Sequence, residues 1–144
     1  MPGHTNPSYP SIRTYEKGDA DQLLELFHLN CPEYFHPSEE NDLVEYLQHH
    51  SQNYFVIKKD GCILGAGGFN TGFDHGVSVR ISWDLIHPDW HGRGYGSKLI
   101  EFRLAKIRHL KGVQTVVVRT TEKAYRFYKQ CGFQLIHVQE QYWG

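Results

Sequence analysis

Cysteine is scarce and methionine scarcer, three residues of one and one of the other in a chain of 144. Cys31, Cys62 and Cys131 are far apart, odd in number, and include no C-x-x-C pair. Neither a disulfide framework nor a zinc knuckle is therefore suggested. Ten histidines are present, but His49 and His50 are adjacent and cannot share one helix face. No H-E-x-x-H occurs, and no H-x-x-x-H comes with a plausible third ligand, so no metal site is expected. Net charge is also lacking: 15 Lys and Arg face 16 Asp and Glu, for −1. A protein built to hold nucleic-acid phosphates carries a basic excess, so that partner class is excluded, while a local pocket for one anion is not. No apolar run nears the ~18 residues of a membrane helix. The first eleven residues are polar, hold three prolines, and contain no signal-peptide core. These absences predict a soluble, cytoplasmic protein, and its length fits one domain.

The pattern along the chain is a mixed α/β one. Ser11–Tyr15 alternates as a short first strand. Asp19 is placed to cap a helix that carries Leu23, Leu24 and Phe27, with Gln22 completing a capping box. Ser38 is placed to cap a second helix with Leu43, Val44 and Leu47. Tyr54–Ile57 reads as a strand, and Asp60-Gly61 as the turn of a hairpin returning along Cys62–Phe69. The glycines of that return strand predict a bulge or close backbone approach. After a turn at Asn70–Gly76, Val77–Ile86 is a strand with Val79, Ile81, Trp83 and Leu85 on one face and Arg80, Ser82 and Asp84 on the other. A helix follows to about Lys111, with Ile100, Leu104 and Ile107 as its buried line. Val113–Arg119 is an apolar strand suited to a parallel position. Glu122–Gln130 is a helix, and Phe133–Gln139 a last strand. The order β-α-α-β-β-β-α-β-α-β predicts a mixed sheet flanked by helices, antiparallel first and closed by a βαβ unit.

Between the fourth strand and the third helix lies His91-Gly92-Arg93-Gly94-Tyr95-Gly96-Ser97. Unpaired N–H groups and the positive end of the helix dipole make such a turn an anion site suited to phosphate, with Arg93 as a further donor. A Walker A loop requires a different spacing, and a Rossmann fingerprint is one residue longer and opens a βαβ unit. The segment instead resembles the pyrophosphate loop of the GNAT family of N-acetyltransferases, [QR]-x-x-G-x-[GA] after a central strand. Ile86-His87-Pro88 precedes it as in that family, and His91 stands where the family usually has Gln or Arg. A second block, Thr120–Phe133, is similar to the family's A-x-x-F-Y-x-x-x-G-F through Ala124, Phe127, Tyr128, Gly132 and Phe133. The resemblance covers roughly residues 11 to 139.

What the resemblance implies is an acetyl-CoA-dependent N-acetyltransferase of mostly antiparallel sheet, with a primary amine attacking the thioester directly. Acetyl-CoA would be a cosubstrate. Residues 1–10 would form a flexible tail and 11–144 one domain. Leu85 and Ile86 would pair with pantetheine where the fourth strand splays from the fifth, with an N–H near Ile86 as oxyanion donor. His91, Gly92, Arg93, Gly94, Tyr95, Gly96 and Ser97 would hold the pyrophosphate, and Phe127 would pack on the pantetheine. Tyr128 matches the general acid for the departing thiolate. Asp84 is the first candidate for general base and Glu33 a second, while a water chain can serve instead. The acceptor stays open among small metabolites, peptide N-termini and lysines. A catalytically silent acyl-CoA-binding module is the alternative. Only Glu140–Gly144 follows the expected last strand. The family's closing strand is therefore expected to be missing or truncated: the natural chain continues beyond Gly144, or a neighbour supplies the strand, or the edge is left open, where Tyr142 and Trp143 would favour a homodimer.

Overall fold

A computed structural model describes residues 9–134 of the chain. The elements run β1 (Ser11–Thr14), α1 (Ala20–Leu29), α2 (Glu40–His49), β2 (Tyr54–Lys59), β3 (Cys62–Phe73), β4 (Ser78–Ile86), α3 (Tyr95–Ile107), β5 (Thr115–Val117) and α4 (Glu122–Gln130). Five strands form one sheet in the order β1-β2-β3-β4-β5. The first three pairings are antiparallel, and β4–β5 is parallel. This is the mixed, mostly antiparallel sheet that the sequence pattern predicts. The expected last strand and closing edge fall almost wholly outside the described residues, as does most of the expected N-terminal tail. Among the described residues no helix is long and apolar enough to cross a membrane.

Both faces of the sheet are covered, which the alternation along β2 makes plain. Tyr54 and Val56 join Leu23, Phe27 and Leu43 of α1 and α2 in one core. Phe55 and Ile57 join Leu99, Ile100 and Ile107 of α3 in the other. The turn at Asp60-Gly61 has positive φ at both residues (53° and 79°), as a two-residue hairpin of matching twist requires.

The structure corrects four local expectations. Asp19 makes no capping hydrogen bond to α1. Its carboxylate is buried, taking 2.8 Å bonds from both terminal nitrogens of Arg13 and one from the Glu16 N–H. Ser38 does not cap α2; a 3₁₀ turn at Pro37–Glu39 precedes that helix, capped by His36 with Glu39 answering reciprocally. β3 runs on to Phe73, and the reversal is confined to Asp74–Gly76, all at positive φ. α3 ends at Ile107, because the next amides bond three residues back (His109 to Lys106, Leu110 to Ile107) and tighten the chain into turns.

Arg13 holds the Asp19 carboxyl below its ordinary pKa, against the opposing effect of burial. A lowered folded pKa gives stability that is present above the unfolded value, about 4, and lost as pH falls through the folded one. Asp19→Asn should therefore cost about 1–2 kcal/mol in urea melts at pH 7. The gap from wild type should shrink below about pH 4.

Candidate functional site

The site is built around a fault in β4. Ala66 pairs with Leu85, but Gly68 pairs with Ser82, so two residues of β4 oppose Gly67 alone. The bulge falls at Trp83, whose φ of 48° is a real strain for a bulky side chain. Tyr54, fully buried, pins it by donating its Oη hydrogen to the Trp83 carbonyl at 2.7 Å.

The bulge reverses the phase of the strand. Before it, Val79 and Ile81 face α3, as expected. After it, Leu85 faces α1 and α2, and Trp83 packs on that side with Phe27 and Phe35. The expected four-residue apolar face is thus split. Asp84 does not share a face with Arg80 and Ser82; the bulge turns it toward α3 and α4.

There Asp84 meets two partners. Arg103 of α3, 1% exposed, places Nη1 2.6 Å from Asp84 Oδ1, a charge contact rather than a well-angled hydrogen bond. Arg103 also donates to the carbonyls of Leu99 and Gly68. Tyr128 of α4 donates its Oη hydrogen to Asp84 Oδ2 at 2.5 Å. Burial first, then the Asp84 charge and hydrogen bond, raise the Tyr128 phenol well above its ordinary pKa. Gly67 lies under the pair: a Cβ there would come within 2.2 Å of Asp84 Oδ1 and 2.8 Å of the Arg103 guanidinium. The sequence thus brings Asp84 and Tyr128 to one place, while Arg103 was not anticipated. Its signal was its position on the α3 stripe, four residues from both Leu99 and Ile107.

A cleft of about 1000 Å³ opens beside this trio. Among the described residues β4 and β5 pair only at Ser78–Thr115, Val79–Val116 and Arg80–Val117, and no described strand covers the rest of that edge of β4. The His87 N–H bonds to Leu64 on β3. Alternation then turns the backbone of Ile86 toward the open edge and that of Leu85 toward β3. Leu85 is fully buried and contributes to the core, not to the cleft lining. The Ile86 carbonyl accepts from Asn30 Nδ2 at 3.0 Å and His91 Nε2 at 2.8 Å, so the His91 proton resides on Nε2. Its ring is spent tying the glycine turn to β4.

Gly92, Gly94, Gly96 and Ser97 line the same cleft. Gly94 is the N-cap of α3 at φ 85°, and the amides of Tyr95, Gly96 and Ser97 begin the helix without partners inside it. A Cβ at Gly92 or Gly94 would meet nothing within 4 Å, so the mouth is open; at Gly96 it would strike the Phe127 ring at 2.9 Å. The Tyr95 side chain is core. The Arg93 guanidinium is exposed and stacks 4.9 Å from the centre of Trp90. Glu33 is exposed and outside the lining, whereas Glu39 belongs to it. An open turn of amide donors at a helix N-terminus, with no acidic residue in the helix's first turn, suits a diphosphate, and the narrow open strand edge beyond it suits an amide-bearing arm. The chain's residues therefore fit coenzyme A.

Removing one member of the buried pair strands the other's charge. Arg103→Met should cost about 3–5 kcal/mol in chemical denaturation, and Arg103→Met with Asp84→Asn should recover part of that. Equal losses in both variants would show that the pair is not what stabilises this region.

Comparisons with known proteins agree with this geometry. The model of the acetyltransferase (GNAT) family matches residues 21–133. No curated protein matches the sequence. Among solved structures, a GNAT-family protein of Desulfovibrio desulfuricans superposes with a TM-score of 0.77 at 19% identity, over 94% of this chain and 91% of that one. A GNAT acetyltransferase of Brucella melitensis in complex with acetyl-CoA gives 0.68 at 23% identity, over 88% and 84%. The N-acetylglutamate synthase of Neisseria gonorrhoeae, complexed with coenzyme A and N-acetyl-glutamate, gives 0.69 at 23% over 87% of this chain. This chain spans only 28% of that enzyme's length. At these identities the superpositions speak for the fold, and the family match over most of the sequence speaks for descent: the chain belongs to the GNAT acetyltransferase family.

Proposed function

We propose that the protein transfers an acetyl group from acetyl-CoA to a primary amine. The observation that carries this is one continuous cleft. It joins the amide-rich start of α3 to the Asp84–Tyr128 pair along the open edge of β4. Acetyl-CoA, when bound, supplies an acyl thioester activated toward an amine. The amides at the start of α3 would hold its diphosphate, aided by the helix dipole. The Ile86 backbone would pair with the pantetheine arm, and Phe127, against Gly96, would pack beside it. Arg93, exposed and stacked on Trp90, is better placed as an outer donor than as an inner ligand.

The reaction moves one proton from the attacking nitrogen to the departing sulfur. Asp84 and Tyr128, already hydrogen-bonded, are arranged to act as one relay rather than as two separate groups. Asp84 Oδ2 receives the proton from the amine, directly or through a water. Tyr128 Oη gives its hydrogen to sulfur and regains one from Asp84. Neither residue changes its net protonation over the cycle. Arg103 positions the carboxylate opposite the Tyr128 hydroxyl.

Calorimetry with coenzyme A tests the first half of this reading, and absence of binding at millimolar ligand would reject it. Tyr128→Phe should lower kcat about 100-fold while coenzyme A affinity stays nearly intact. The raised pKa of Tyr128 keeps the phenol protonated as pH rises through about 10, the ordinary tyrosine value. The rate should therefore show no falling limb below that pH that disappears in Tyr128→Phe; such a limb would exclude the relay.

A further inference from the structure

Beyond the bulge, the cleft continues along the first half of β4, on the side of α1 and α2. Its floor is polar. Ser82 Oγ donates to Asn70 Oδ1 at 2.6 Å, and Asn70 Nδ2 donates to the His50 carbonyl at 3.0 Å. Tyr46 of α2, 8% exposed, lines the cleft with a buried Oη that meets no well-formed hydrogen-bond partner among the described residues. Ser82 is close enough to ease its ionisation slightly, but burial dominates and pushes the phenol up to about 12. A buried donor held protonated and unpaired asks for an acceptor from a ligand.

Arg80 lies two residues before Ser82 on the same face and lines the same pocket. One face of its guanidinium covers the Phe73 ring, 3.9 Å from the centroid. Among the described residues no carboxylate pairs with it. The acids nearby are committed elsewhere. Asp84 faces the other side of the sheet against Arg103. Glu39 accepts from the His36 N–H at 2.8 Å. Stacking fixes the guanidinium plane and leaves its edges as a ready fork for a carboxylate. A phosphate would draw on further cations or a nest of amides; beside Arg80 the cleft offers Tyr46, Asn70 and Ser82, while Arg119 follows β5 and Arg126 belongs to α4.

We infer that Arg80 and Tyr46 form an anion subsite, and that the acceptor is a primary amine bearing a carboxylate. Arg80 and Asp84 are four residues apart, roughly 13 Å of strand less the shortening at the bulge. The carboxylate therefore lies several bonds from the reacting nitrogen. The spacer crosses the half-buried Trp83, which stacks on Phe35 at 5.6 Å, so it is apolar. This inference rests on the acetyl-transfer reading for the identity of the reaction, but the subsite itself can be read without turnover.

The test uses matched amines that differ in the acid alone: para-(aminomethyl)benzoate against benzylamine, and ω-aminopentanoate against pentylamine. Thiol release should give kcat/KM about tenfold higher for each acid. Arg80→Gln should collapse that ratio, and Arg80→Lys should restore part of it, with acetyl-CoA affinity retained. Ligand-observed NMR on the coenzyme A complex reads binding of the same compounds. Acids that bind through Arg80 yet are not acetylated would uphold the subsite and reject the transferase reading. Equal or weaker turnover and binding of the acids, or a ratio unmoved in Arg80→Gln, would overturn the inference. Preference for ω-aminobutylphosphonate over the carboxylates would overturn the assignment of the acid.

Discussion

The Asp84–Arg103 ion pair is the constraint around which the rest is arranged. A carboxylate and a guanidinium sit 2.6 Å apart, the guanidinium fully buried. Such a pair needs its remaining donors satisfied, or the desolvation of both charges outweighs their attraction. Arg103 meets this with the Leu99 and Gly68 carbonyls, and Asp84 with the Tyr128 hydroxyl. The pair also needs room, which only a residue without a Cβ at position 67 provides. It needs Asp84 on the α3 side, which only the bulge at Trp83 provides. Strain at Trp83, the absent side chain at Gly67 and the buried Tyr54 hydroxyl are three parts of one device.

That device connects fold to function. One slip in the register of β4 aims Asp84 and Tyr128 at each other on one face and leaves Ser82, Trp83 and Arg80 on the other. The open edge between β4 and β5 joins the two sides. In the proposed transfer the cosubstrate would enter from the glycine turn and the acceptor from the α1–α2 side, to meet at the bulge. The same register fault turns the Ile86 backbone to the open edge, where Asn30 and His91 hold its carbonyl in place.

Much of this was legible in the chain itself. The element order, the Asp60-Gly61 hairpin, the parallel position of β5 and the glycine turn rest on local chemistry that tertiary structure did not override. Tyr128 and Asp84 were found as residues but not as partners, because strict alternation puts Asp84 beside Ser82. A bulge is set by what packs above and below the strand, and a Trp-Asp step carries no local mark of it. The glycines at 65, 67 and 68 did announce a close approach, without naming what approaches. Arg103 escaped because a charged residue on a helix is ordinarily read as solvated. Its place among Leu99, Ile100 and Ile107 was the contrary sign. Local capping rules favour Asp19 and Ser38 as helix caps, but the nearby Arg13 takes the Asp19 carboxylate and the His36–Glu39 turn displaces Ser38.

The central claim is that Asp84 and Tyr128 act as one unit, and a double-mutant cycle on kcat tests it most directly. Groups acting in one relay lose their function together, so the second removal costs little more. Asp84→Asn with Tyr128→Phe should be about as slow as the slower single variant. A double variant slowed by the full product of the two single losses would show two independent groups and contradict the account.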